Sequence, residues 1–330
     1  MDCRNLEATA LGNRWRALRR RILTPSDSAA LLDVRGFHKK EPAAQELLET
    51  IGKTFLKGYA FAAEARTVTD AEANLETIPE RFRGFAYEGA AMGYAVRDGL
   101  PFGGSGHVTA FLAGRASVHD YMAYIGVGWA MARLPRFRWP ASTGVDAFMR
   151  WLVLDGYGFH QAYFKTQRYV HQQYQEAAFP WPAEGPSWYA DRAIDQGIGR
   201  ALWFVGGTDP DVVAALISKY GERRRADLYS GAGLAATYAG GADEHELHRF
   251  REEAGEYRPQ VAQGSAFGAE ARVQAGLMMP HTELATQVFC GLPAVKAAAL
   301  THDTRPAPDL EGELPAYEVW RQRTAAEFQS

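Results

Sequence analysis

The stretch Leu154-Asp155-Gly156-Tyr157-Gly158-Phe159-His160 decides how this chain is read. It is one copy of a pattern: a glycine, a small residue two positions on, a bulky residue at the third position and a small residue at the fourth. Earlier copies are Gly58-Tyr59-Ala60-Phe61-Ala62, Gly89-Ala90-Ala91-Met92-Gly93 and Gly126-Val127-Gly128-Trp129-Ala130. Three more follow at Gly197-Ile198-Gly199-Arg200-Ala201, Gly231-Ala232-Gly233-Leu234-Ala235 and Gly264-Ser265-Ala266-Phe267-Gly268. Successive first glycines stand 31, 37, 30, 41, 34 and 33 residues apart. Helical-hairpin repeats have spacings of this size.

A glycine inside a helix costs about 1 kcal/mol relative to alanine. Seven copies weaken their helices by several kcal/mol on that scale, so close packing must offset the loss. Residues four apart share a helix face, and small residues at both places let a second backbone or a flat ligand come near. Six copies keep Gly or Ala at the fourth position; the exception is His160. Six carry an apolar residue at the third; the exception is Arg200. Each exception puts a polar group where its siblings put core. Both are candidates for chemistry, and the plain alternative for each is a hydrogen-bonded role in the core. A dinucleotide loop at Gly231-Ala232-Gly233 would need a preceding strand, and Asp227-Leu228-Tyr229-Ser230 is a poor one.

The chain has 330 residues, 47% hydrophobic and 23% charged, an ordinary soluble globular composition. A net charge of −3 argues against nucleic acid as a partner. Two cysteines, Cys3 and Cys290, make no disulfide framework, and without a CxxC a thiolate zinc site is not expected. No apolar run approaches the ~20 residues of a membrane span. No apolar segment follows Met1-Asp2-Cys3-Arg4 as a secretory signal requires. A cytosolic protein is expected.

In chain order, residues 14–23 read as a basic amphipathic helix, with Trp15, Leu18, Ile22 and Leu23 at helical spacing among five arginines. Such a helix suits a docked position with a solvated face, an anionic membrane or a partner protein. Helices are expected over 45–59, 81–100, 121–134, 145–164, 189–205, 211–219, 223–238, 244–253, 259–275, from Pro280 and over 316–328. Leu75-Glu76-Thr77-Ile78-Pro79 reads as a helix start. Residues 101–117 read as loop and 303–315 as an extended segment. Proline-rich, aromatic 177–188 cannot be helix; it subdivides the chain or forms a lid. Strand alternation is almost absent, so the expected fold is a single all-α domain over 1–330, with repeated helical hairpins in a solenoid-like or closed array.

The residue just before the glycine is Glu88, Asp155, Gln196, Ser230 or Gln263 in five copies. If the repeat helices converge, these and His160 line a common surface. A carboxylate beside a histidine is an acid–base pair or part of a metal site. Glu88, Asp155, Asp195 and His160 suit either use, with His281 as a second imidazole; no metal is assigned and no cofactor is named. Acidic residues near a helix start are also simply good caps. Tyr87, Tyr94, Trp129, Tyr157, Phe159, Tyr163, Trp203 and Tyr229 surround them. Such a lining suits a long, flat, apolar ligand, and equally an ordinary core.

Several segments together resemble a known family. They include Trp15-Arg16-Ala17-Leu18-Arg19-Arg20, Arg83-Gly84-Phe85-Ala86-Tyr87-Glu88-Gly89, Asp155-Gly156-Tyr157-Gly158-Phe159-His160 and Asp195-Gln196-Gly197-Ile198-Gly199-Arg200. Ser230-Gly231-Ala232-Gly233-Leu234, Pro280-His281-Thr282-Glu283-Leu284 and Pro315-Ala316-Tyr317-Glu318-Val319-Trp320 complete the set. The chain resembles, from Trp15 to Trp320, the domain-of-unknown-function family encoded in the core cassette of enediyne antibiotic clusters. The resemblance implies a role beside the iterative enediyne polyketide synthase, whose linear polyene other cassette proteins convert to the enediyne core. It implies partners among those proteins, one of them a membrane protein that would give the basic helix a purpose. It implies no reaction and carries over no catalytic residue.

Two functions are open at this point. One is an enzyme acting on the polyene or polyyne, with His160, Glu88, Asp155 and Asp195 at the site and Arg200 holding a polar end. The other is a non-catalytic helical-repeat protein that binds the polyene or scaffolds the cassette. An enzyme needs His160 in an enclosed pocket with a carboxylate within hydrogen-bond reach.

Overall fold

The computed structural model describes residues 3–329 except 102, 140–145, 147, 182–184, 308–309 and 311. The fold is all-α, with no strand among the described residues. A first helix, α1 (Cys3–Leu23), precedes seven repeat helices: α2 (Pro42–Glu64), α3 (Glu80–Gly99), α4 (Asp120–Met131), α5 (Arg150–Phe164), α6 (Ala190–Val205), α7 (Glu222–Ala239) and α8 (Arg258–Gln274). Short helices such as Val68–Leu75, Pro210–Ile217 and Glu244–Glu253 lie between them, and α9 (Ala316–Ala326) closes the described chain.

Each repeat helix packs on the next through the pattern glycines. A β-carbon on Gly58 would lie 1.9 Å from the Ala86 carbonyl oxygen, and one on Gly89 1.9 Å from that of Phe55. Gly128 meets the Val153 oxygen at 1.9 Å and Gly156 that of Ile125 at 2.0 Å. The same reciprocal contact joins Gly158 with Ile194 and Gly197 with Asp155, then Gly199 with Leu228 and Gly231 with Gln196. Glycine is needed because nothing else leaves room. From α4 to α7, the first glycine of each helix faces the previous helix and the second faces the next. The Cα–H groups point at carbonyl oxygens, a weak attraction that recurs where helices touch closely.

Neighbouring repeat helices run parallel. Gly89 lies against Phe55 and Gly93 against Tyr59; Gly264 lies against Ser230 and Gly268 against Leu234. Positions rise together on both partners, which only parallel helices allow. The segments between repeat helices therefore have to carry the chain back along the outside. Those returns are firmly capped. Thr67 and Asp243 each form a capping box, and Asp209 accepts from the amides of Asp211 and Val212.

The array curls until its ends meet with an offset. Phe85 of α3 packs edge-on against Tyr238 of α7 at 5.1 Å, and Arg272 of α8 donates to the Arg81 carbonyl at 3.1 Å. Lys40, just before α2, reaches the Gly241 carbonyl after α7 at 2.8 Å. The last helix is held by a buried network. Arg192 donates to Asp227 at 2.9 Å and to Glu318 at 2.6 Å, and Arg321 contacts Asp227 at 2.8 Å and Glu318 at 3.1 Å. Two guanidiniums face two carboxylates, so the group is neutral as a whole.

Some boundaries differ from the expected ones. Residues 101–117 contain a helix, His107–Leu112, because the Asp98 carboxylate accepts the amides of His107 and Val108 across the loop. Residues 75–79 end one helix rather than starting the next, which begins at Glu80. The helix expected from Val145 begins at Arg150; Val145 itself lies outside the described residues, as do 182–184 of the proline-rich loop. In the described part of that loop Phe179 stacks on Trp139 at 5.5 Å and Trp181 on Trp151 at 5.7 Å, while Trp188 is exposed. The helices on either side of it, α5 and α6, share the glycine contact.

The glycine contacts yield a direct test. Gly158→Ala is expected to destabilise the protein by about 1–3 kcal/mol or more, although helix propensity alone favours alanine by about 1 kcal/mol. Gly221→Ala, where an added β-carbon meets nothing within 4 Å, is expected to be near neutral. Thermal unfolding of both variants measures this, and equal midpoints would sink the packing argument.

Candidate functional site

Parallel packing brings equivalent positions of successive helices side by side. The bulky third positions Met92, Trp129, Phe159 and Arg200 all line one cavity. Residues four apart share a face, so each helix adds a tier on either side of these. Below lie Glu88, Asp155 and Gln196, the residues before the glycines. Above lie Arg133, Tyr163 and Phe204, four residues further on. The cavity has a volume of ≈ 60 Å³, a slot rather than a chamber. Phe55 and Tyr59 of α2 close one wall, and Pro25, Ala29 and Ala30 cover it beyond them.

The walls are aromatic. Trp129 lies 4.4 Å from Phe55 and 5.0 Å from Phe159, centre to centre. The floor is polar and joined by hydrogen bonds. Arg200 donates to Asp155, Gln196 donates to the other Asp155 oxygen at 2.7 Å, and the Tyr317 hydroxyl lies 3.1 Å from the Gln196 amide nitrogen. Further round the array, Ser230 donates to Gln263 at 2.7 Å, again joining residues that precede their glycines. The Arg200 guanidinium also lies 5.1 Å over the Phe159 ring, with its Nε unpartnered.

Glu88 is 3% exposed and lines the slot. Burial pushes its carboxyl up to about 7, Asp155 adds to the rise, and Arg200 opposes it. One guanidinium thus serves two carboxylates, and Asp155 holds it. The Trp129 indole N–H lies beside Glu88 without full hydrogen-bond geometry. Glu88 is therefore an acid whose proton can come and go near neutral pH.

His160 lines the same slot, 7% exposed, edge-on to Trp129 at 5.6 Å. Burial, with the charges of Arg133 and Lys165, drives its imidazole down to about 3. Among the described residues its Nδ1 has no hydrogen-bond partner, and no carboxylate pairs with the ring. The expected carboxylate–histidine pair is not formed. The ring sits one position beyond Phe159 and five beyond floor residue Asp155, and it meets aromatic side chains instead.

The other sequence-derived candidates scatter. Asp195 is paired with Arg224 at 2.5 Å, outside the slot. Tyr87, behind Glu88 on α3, stacks on His119 at 4.0 Å and donates to Glu76 at 2.6 Å. Tyr157 accepts from Gln161 at 2.7 Å, Trp203 donates to the Gly240 carbonyl at 2.9 Å, and Tyr229 stacks on Tyr257 at 5.3 Å. His281 lies 3.1 Å from the Tyr238 carbonyl, away from His160. Six candidates line the slot: Glu88, Trp129, Phe159, His160, Tyr163 and Arg200. Asp155 sits directly behind Arg200. Phe55, Arg133 and Phe204 were missed. Arg133 and Phe204 stand four residues after Trp129 and Arg200, and extending the repeat by one helical turn would have found them.

Among the described residues no group of three His, Cys, Asp or Glu side chains is placed to hold a metal ion. No single described helix is long and apolar enough to cross a membrane; one bent pair, Pro280–Cys290 with Ala294–Thr304, passes by length and composition alone.

The chain belongs to a family described as a protein of unknown function, DUF1702, matched over residues 14–328. No curated protein and no solved structure matches it.

The shifted acid predicts a pH signature. Raised from 4.5 to about 7, Glu88 contributes stability that is fully present below 4.5 and lost as the pH rises through about 7. Glu88→Gln removes that dependence. Unfolding by urea at pH 5 and pH 8 is expected to show the variant gaining on wild type by on the order of 3 kcal/mol. Parallel pH curves would refute the assignment.

Proposed function

We propose that this DUF1702 protein acts in enediyne natural-product biosynthesis, on the linear polyene or polyyne intermediate released by the enediyne polyketide synthase. The observation that carries this reading is the slot itself: a narrow aromatic cavity ending at a buried acid. A conjugated chain is flat and apolar, and a wall of aromatic rings, with Trp129 and Phe159 5.0 Å apart, suits it. The whole-chain motif resemblance points to the same pathway. The chemistry available is proton transfer at Glu88, with the Arg200–Asp155 pair holding the charge around it. His160 stays neutral and offers its unpartnered Nδ1 to the ligand.

The surface offers a place for partners. Trp15, Leu18 and Ile22 of α1 are 61%, 46% and 67% exposed and form one stripe, edged by Arg14 and Arg21. That stripe suits an anionic membrane or a cassette protein and gives the chain a peripheral place beside the membrane. Arg19 faces inward, on the Ala65 carbonyl at 2.9 Å, and exposed Arg20 pairs with Glu64 at 2.7 Å.

The test is to purify the protein from cells making the linear polyene and record the spectrum of what it carries. Wild type is expected to yield an altered chromophore. Glu88→Gln should yield the unaltered one, still bound. Unaltered polyene on wild type together with its partners would assign a carrier. An empty protein that captures cassette proteins would assign a scaffold.

A further inference from the structure

The slot contains two arginines, and they are not equivalent. Arg200, at the floor, is spent on Asp155 and faces Glu88 as well. A third carboxylate there would meet two acids across one cation. Arg133 differs. It follows the end of α4, four residues after Trp129, and lines the slot. Its side chain is exposed and has no hydrogen-bond or ion-pair partner among the described residues. Its charge reaches both His160 and Tyr59. Two more cations stand near: Arg35 lies 5.1 Å over the Phe164 ring, and Lys165 caps α5. Glu49, the acid closest to Tyr163, is already engaged by the Leu32 amide at 3.1 Å and Gln45 at 2.9 Å. Deeper in, His160 Nδ1 and Arg200 Nε are buried without partners, which marks the interior as built to receive polar atoms as well as carbon.

We infer that the slot takes a linear unsaturated carboxylic acid tail-first, with the carboxylate on Arg133 at the mouth and the chain running down to Glu88. This rests on the reading of the slot as a ligand site and adds the head group and the direction. Arg133 is the residue that selects it. Its guanidinium can receive a carboxylate through two parallel N–H donors, a contact an ester or thioester cannot return. Two helical tiers separate Arg133 from the Glu88 level, about 12 Å at 1.5 Å per residue. An extended chain advances roughly 1.2 Å per bond, so about ten bonds reach the floor. The ligand is thus a free acid, supplied by a reaction that hydrolyses the chain from its carrier.

The probe is α-parinaric acid, a conjugated C18 tetraene whose fluorescence rises on burial, set against its methyl ester. Wild type is expected to bind the acid about tenfold more tightly than the ester. Arg133→Ala should bring the acid down to the ester's affinity and leave the ester unchanged. Arg133→Lys should restore part of the preference, and added salt should weaken it. Equal affinity of acid and ester on wild type overturns the head-group assignment while the slot stands. An acid preference that survives in Arg133→Ala overturns it too, as does a variant that loses both probes equally. If neither probe binds wild type, the ligand site and this inference fall together.

Discussion

At each interface between repeat helices, a backbone carbonyl occupies the space where the facing helix would carry a β-carbon. Between α2 and α3 and from α4 to α8 the contact works both ways, and it fixes how far apart the axes stand. Because it repeats at equivalent positions, neighbours are held parallel and in step. Equivalent side chains then stack into tiers around the inside of the curl. The slot is a product of that register: Met92, Trp129, Phe159 and Arg200 meet because their glycines meet. Glycine's weakness in an isolated helix is offset by backbone proximity that no other residue allows.

The same register places charge. Glu88, Asp155 and Gln196 precede their glycines and so fall on one floor. Asp155 takes the Arg200 guanidinium, and Glu88 is left to hold a proton. Several other buried carboxylates are matched: Asp195 with Arg224, and Asp227 and Glu318 with Arg192 and Arg321. Glu88, without a cation of its own, is set apart from these ion pairs.

Much of this was legible in the repeat. Period, helix content and the convergence of the residues before the glycines follow from spacing and from the 3.6-residue turn. The departures at His160 and Arg200 did mark slot residues. What spacing could not give was the partner of each group. Asp195 stands two residues before its glycine where Asp155 stands one before, so it turns off the floor, and Arg224 claims it from α7. Tyr87 and Glu88 are adjacent in sequence and face opposite sides of α3, because 100° separates consecutive residues. His160 was read with a carboxylate partner, but its direction depends on the rotation of α5 about its own axis, which the glycines set and the sequence does not state.

Parallel helices also make the array electrically polar. Each helix carries a partial negative charge at its C-terminal end, and here those ends point the same way, toward the slot's opening at Arg133 and Phe164. Left alone, that opening would repel an anion. Arg133, Arg35 and Lys165 gather there and reverse the sign. The opening thus lies under two opposed fields, one built into the backbone and one carried by three side chains. Adding or removing a single charge at this rim changes which molecules approach it while leaving the packing beneath untouched.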